Sequence, residues 1–223
     1  MSLTLNISSI CKNYNGNDVL RDCSFSFGGT GVYVLTGANG SGKSTLLRIC
    51  ALLERPDSGE VNYSSDGIAA EDDAALRRKI TLLLPKIGVF NSTVFKNIAY
   101  GLKIRGIERS EITERVEEAL EAVRLTHKSN QNALTLSSGE TQRLGIARAM
   151  VIGPEVFFLD EPTAFVDHDS RGIIEEIILT MKKSGKTIIV VTTHDKAQAE
   201  RLADRMLVMD EGRITGTGTI QAG

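Results

Sequence analysis

Eight residues, Gly37-Ala38-Asn39-Gly40-Ser41-Gly42-Lys43-Ser44, close an apolar strand-like run at Gly31–Thr36 and open a helix-like run from Thr45. Few loops serve that junction with so many glycines followed by Lys and Ser. Glycines let the backbone turn tightly enough to aim successive amide hydrogens at a phosphate chain, Lys43 adds a point charge near the outer phosphates, and the Ser44 hydroxyl can ligate magnesium. The helix that follows contributes its positive end. A plain strand-to-helix turn would explain the glycines but neither Lys43 nor Ser44. The order therefore predicts a cradle for a nucleoside triphosphate, built into an α/β sheet domain.

The rest of the chain is consistent with such a domain. At 223 residues, with 41% hydrophobic residues and only 4 Pro, it can bury a sizeable core. The formal charge of -2, with acids and bases interspersed, lacks the basic footprint of a nucleic-acid binder. The longest apolar runs, such as 156–159 and 188–191, are far too short to cross a bilayer, and no signal-peptide core opens the chain, so a cytoplasmic location is expected. Cys11, Cys23 and Cys50 show neither paired nor metal-ligand spacing and read as reduced structural residues.

Alternation at Leu3, Leu5 and Ile7, and again at Cys23, Phe25 and Phe27, predicts half-buried strands of a small antiparallel layer, separated by the turn Asn15-Gly16-Asn17. Short apolar runs at 32–35, 80–84, 156–159, 188–191 and 206–209 then recur between helical segments, the pattern of a parallel sheet covered by helices. Between the second and third of these runs, Ile112, Val116, Ala119, Leu120 and Val123 follow Ser110 at helical spacing. They predict a helical lobe over about 87–152, inserted into a core lobe of about 1–86 and 153–223.

The run 156–159 delivers Asp160 and Glu161 at the end of a strand, and in a parallel sheet that is the edge where the glycine loop also emerges. There Asp160 can hold magnesium through water and Glu161 can orient and polarise an attacking water. An acidic pair in this position can equally cap the next element. His194, after the strand-like 187–191, brings an imidazole to the same edge, within hydrogen-bonding reach of a γ-phosphate. His127 and His168 have no comparable setting. In Leu136-Ser137-Ser138-Gly139-Glu140, Ser137 and Glu140 have capping-box spacing, which marks a helix N-terminus with small residues able to approach an anion.

Taken together, these segments resemble the nucleotide-binding subunit of ATP-binding-cassette (ABC) transporters over essentially the whole chain. Residues 37–44 resemble the Walker A motif, 136–140 the signature motif, 156–161 Walker B, 164–167 the D-loop with Asp167, and His194 the switch histidine, while Tyr14 stands where an adenine-stacking aromatic is expected. The resemblance implies a P-loop NTPase of the ABC-cassette fold, with a parallel-sheet core, an antiparallel β layer and an inserted helical lobe. Its cofactors would be ATP and Mg2+. Gly37, Asn39, Gly40, Ser41, Gly42, Lys43, Ser44 and Thr45 would bind nucleotide together with Tyr14, and Ser44 and Asp160 would bind the metal. Glu161 and His194 would be catalytic. Two copies would pair head to tail, so that Ser137, Ser138, Gly139, Glu140 and Asp167 of one complete the ATP site of the other. The partners implied are that second copy, transmembrane permease subunits and a substrate-binding protein, with the chain peripheral on the cytoplasmic face of the plasma membrane. Segment 91–106 resembles the surface that receives a coupling helix from the permease.

This chain departs from the family pattern in two places. Where a magnesium-binding, coupling glutamine is usual after the 80–84 run, it has Pro85 and Lys86; in the signature, Ser138 replaces Gly and Glu140 replaces Gln. Segments 100–106, 132–136 and 164–167 look most like importer subunits for tungstate and related oxyanions. An exporter subunit and a soluble, non-transport ABC ATPase are the alternatives. A GTPase is disfavoured because Asp57-Ser58-Gly59-Glu60 does not make Asp-x-x-Gly and no Asn-Lys dipeptide exists. The later Ser184-Gly185-Lys186-Thr187 repeats the letters of the loop in the reverse setting, between a helix and a strand.

Overall fold

A computed structural model describes residues 3–219. In chain order the strands are β1 (Leu3–Tyr14), β2 (Asn17–Phe27), β3 (Gly31–Thr36), β4 (Ser58–Ser65), β5 (Ile68–Ala69), β6 (Ile80–Leu83), β7 (Val156–Asp160), β8 (Ile188–Thr193), β9 (Arg205–Asp210) and β10 (Arg213–Thr219). The helices are α1 (Lys43–Cys50), α2 (Ala74–Arg77), α3 (Val94–Ile104), α4 (Arg109–Ala122), α5 (Ser138–Met150), α6 (His168–Lys183) and α7 (Lys196–Leu202). Two compact units result. The first runs to Leu82 and takes in Glu155–Glu161 and the chain from Met181; the second comprises Leu83–Pro154 and Pro162–Thr180.

The first unit holds two sheets. One has the order β10-β9-β3-β8-β7-β6, with β3, β7, β8 and β9 parallel and β10 antiparallel at the edge. Every residue of β7 and β8 is buried, which is why these strands are unbroken apolar runs rather than alternating ones. The other sheet, ordered β2-β1-β4-β5, is antiparallel and buries one face through Leu3, Leu5 and Ile7, then Ile10. The step from Ile7 to Ile10 breaks the two-residue period because a bulge intervenes, with Ser9 at φ 49. Opposite it, a Cβ on Gly59 would lie 2.4 Å from the Ser9 carbonyl oxygen, so only glycine fits. Strand β4, whose Val61 and Tyr63 alternate, the short β5 and the edge strand β10 are present beyond what the sequence pattern predicts.

The second unit is helical. Thr93 caps α3 by accepting from Lys96 N at 3.2 Å, and Val94, Ile98 and Leu102 form its buried stripe. In α4 the buried residues are Ile112, Val116, Ala119 and Leu120, as the spacing predicts. The start differs: the helix begins at Arg109, and Glu108, in an extended conformation, stands at the cap in place of Ser110. Asn97 is fully buried and closes the 90–93 turn onto α3, accepting from Phe90 N at 2.8 Å and donating to the carbonyls of Phe90 and Thr93. No helix among the described residues is long and apolar enough to cross a membrane.

Candidate nucleotide site

The loop after β3 is held where side chains cannot go. A Cβ on Gly37 (φ 153) would sit 2.1 Å from the Met209 carbonyl oxygen, and one on Gly42 (φ 103) 2.7 Å from that of Val19. Gly42 is the cap residue of α1 and offers no side-chain bond, so the first amides of that helix stay available to an anion. Lys43 is buried, and its ammonium donates to the carbonyls of Gly37 and Ala38, both at 2.9 Å, across the mouth of the loop. The buried Ser41 hydroxyl has no hydrogen-bond partner among the described residues, the sign of a polar cradle made for a ligand. Asn39 and Gly40 are exposed at its rim.

Parallel pairing fixes what faces this loop. Thr36 pairs with Thr193 and Asp160 with Thr192, so β3, β7 and β8 end in one row. Asp160 Oδ1 accepts from the Ser44 hydroxyl at 2.9 Å and from the Thr192 hydroxyl at 2.8 Å. Thr192 Oγ1 in turn accepts from the backbone N–H of Glu161 at 2.9 Å. Glu161 leaves the strand at φ 44, a left-handed conformation rare for a residue with a Cβ, and its carboxylate comes within 3.3 Å of His194 Nδ1. The four sheet-edge residues named from the sequence, Ser44, Asp160, Glu161 and His194, thus converge. The sequence reading missed Thr192, which ties Asp160 to Glu161; a hydroxyl in an apolar strand is the signal that was available.

Tyr14, 38% exposed at the end of β1, donates its phenol hydrogen to Glu54. Partial burial, then the bond to Glu54, raises its ionisation above the ordinary tyrosine value. Lys12 Nζ lies 5.6 Å from the ring centroid. The aromatic is therefore anchored to Glu54, in the segment that follows α1, within the first unit.

The signature segment lies in the second unit and is built locally. Ser137 caps α5: its hydroxyl accepts from Glu140 N at 3.2 Å, and Glu140 Oε2 accepts from Ser137 N at 2.9 Å, closing the capping box. A Cβ on Gly139 would lie 2.1 Å from Ser170 Oγ and 2.8 Å from Asp167 Oδ2, so glycine is required for the D-loop carboxylate to come this close. Ser170 N donates to Asp167 Oδ1 at 2.8 Å, and that bond holds the Asp167 carboxyl below its ordinary range. Ser138 is exposed on the first turn. Lys86 is exposed beyond β6, and Pro85 beside it has no hydrogen to donate.

A family model described as ABC transporter matches residues 20–164, which span the glycine loop, the capped α5 and the acidic end of β7. The chain belongs to the ABC transporter family. As an ABC cassette it binds ATP and is an ATPase, and its α/β architecture is that of the family. It is 36% identical to the tungstate uptake system ATP-binding protein TupC of Peptoclostridium acidaminophilum, over 95% of this chain and 97% of that protein. It is 38% identical to the phosphate import ATP-binding protein PstB 1 of Yersinia pestis, over 90% of this chain and 78% of that one. Among solved structures, a dimeric post-hydrolysis state of the ATP-binding cassette MJ0796 bound to ADP and Pi superposes with a TM-score of 0.85 at 25% identity, covering 98% of this cassette and 100% of that chain.

Proposed function

We propose that this chain is the ATP-hydrolysing subunit of an oxyanion importer, with tungstate as the transported solute and separate polypeptides supplying the membrane path. The observation that carries the hydrolytic role is the convergence of Ser44, Asp160, Glu161 and His194 at one sheet edge, with Ser44 Oγ 2.9 Å from Asp160 and His194 Nδ1 3.3 Å from Glu161. Lys43, the loop amides and Thr45 hold the phosphate chain, Ser41 donates its otherwise unused hydroxyl, and Tyr14 stacks on adenine. A hydroxyl and a carboxylate in contact suit a hard divalent ion, so Ser44 and Asp160 are the residues that would hold Mg2+. When bound, the ion supplies neutralising charge for the phosphate oxygens.

Glu161 orients the attacking water and takes its proton, and His194 donates to the γ-phosphate. Thr192 keeps Glu161 and Asp160 in register. Two copies close head to tail, with Ser137, Ser138, Gly139, Glu140 and Asp167 of one reaching the ATP held by the other. The motor works on the cytoplasmic face of the membrane, against permease subunits fed by a substrate-binding protein. The likeness to tungstate and phosphate uptake subunits supports an anionic cargo. Pro85 and Lys86 stand where the coupling glutamine is usual, so the signal to the permease must travel by another contact.

The test is Glu161→Gln in the full chain. Hydrolysis should fall by about 100-fold or more while ATP binding persists; near-normal turnover would refute the assignment. For the cargo, vesicles carrying the reconstituted importer should take up tungstate in preference to phosphate and sulfate, and preference for phosphate would replace tungstate by its relative.

A further inference from the structure

Glu140 stands third in α5, where the family pattern has glutamine, and its two carboxylate oxygens do different work. Oε2 accepts from Ser137 N and holds the head of the helix, whereas Oε1 lies 2.9 Å from Lys128 Nζ, delivered by the short turn Thr126–Lys128. The two side chains are only 16% and 25% exposed, so the pair is partly screened from water. Lys128 holds the Glu140 carboxyl below the ordinary carboxylate range, with help from the capping bond and from Arg143. Of the other charges nearby, Arg143 adds positive field at Glu140, but both it and Asp167 make their hydrogen bonds to other groups. Arg143 donates to the carbonyls of Val123 and Arg124, at 2.7 Å and 3.2 Å, and Asp167 accepts from Ser170 N.

A charged carboxylate at this place has opposite effects on its two neighbours. It suits the positive end of α5, yet it repels any anion that the same end is meant to receive. A glutamine would cap with its carbonyl oxygen and carry no charge, and would need no counter-ion. Glutamate caps equally well but brings a negative charge that has to be cancelled.

We propose that Lys128 is a positioning residue for ATP-driven pairing of two copies: its ammonium cancels the charge of Glu140, so that the head of α5 can meet a γ-phosphate. This rests on the head-to-tail arrangement proposed above. Lys128 touches no nucleotide itself and acts through Glu140. The arrangement makes Lys128 and Glu140 a unit, in which loss of the cation is worse than loss of both.

The experiment uses the full-length Glu161→Gln chain, in which hydrolysis does not dissolve the pair, and follows dimerisation by sedimentation against the concentration of ATP with magnesium. Lys128→Met should raise the ATP concentration for half-maximal dimerisation by about tenfold at low salt. The defect should shrink toward nothing near 1 M salt, where charges are screened within about 3 Å. Lys128→Arg should restore pairing, which also guards against misfolding of the Met variant. Lys128→Met with Glu140→Gln should return to within about twofold of the starting protein. Unchanged pairing in Lys128→Met, or a defect that neither salt nor Glu140→Gln repairs, overturns the proposal in favour of simple packing. If the Glu161→Gln chain with Lys128 intact binds ATP but stays monomeric, the head-to-tail arrangement itself fails, a result distinct from either.

Discussion

The sheet edge at Asp160 and the head of α5 are both polar clusters to which a phosphate is assigned in the proposal above, but they are assembled in opposite ways. At the sheet edge, Ser44, Asp160 and Thr192 come from three distant stretches of chain and share one carboxylate oxygen, with Asp160 and Thr192 buried and Ser44 half-buried. At the helix head, Ser137 and Glu140 are three residues apart and close their ring whenever that helix forms. The first site depends on the whole parallel sheet, and the second on one turn. A polar group lost from the sheet edge leaves buried partners unsatisfied, whereas water can replace a partner at the helix head.

That difference can be measured. The largest effect is expected from Thr192→Val, which removes a hydroxyl that donates to Asp160 and accepts from Glu161; stability should fall by about 3 kcal/mol in denaturant titration, with hydrolysis impaired as well. Ser137→Ala should cost about 1 kcal/mol by the same measurement. Equal costs would break the contrast between a global and a local site.

The smallest and sharpest effect concerns pH. Glu140 has its folded carboxyl lowered by Lys128, so the stability it contributes is fully present above the ordinary glutamate value and is lost as pH falls through the lowered folded value. The melting-temperature advantage of the native chain over Glu140→Gln should therefore be constant near neutrality and vanish in acid. An advantage that survives at low pH would mean that the pair with Lys128 contributes nothing through charge.

The same contrast explains what could be read in advance. The capping box was legible because its two residues are neighbours in sequence, and the sheet edge was legible because parallel strands must bring their ends together. Partners from elsewhere in the chain were not legible. Nothing in the spacing of Lys128 and Glu140, or of Tyr14 and Glu54, announces a contact, and the Thr192 hydroxyl, though conspicuous in an apolar strand, does not by its position name Asp160 and Glu161 as its partners. Strand β4 was hidden for another reason: its face alternates over few residues and begins at the bulge opposite Gly59. The false loop at 184–187 shows that setting outweighs letters. Its Gly185, at φ 63, ends α6 by donating to the Lys182 carbonyl, so it stops a helix where Gly42 starts one.

Glu161 carries a consequence of a different kind. Its left-handed backbone costs on the order of 1–3 kcal/mol that glycine would largely avoid, while the residue's carboxylate is the group assigned to the attacking water. Heat resistance and turnover therefore pull this one position in opposite directions. A library of variants sorted only for surviving heat would enrich Glu161→Gly, and the same library sorted for ATP turnover would discard it.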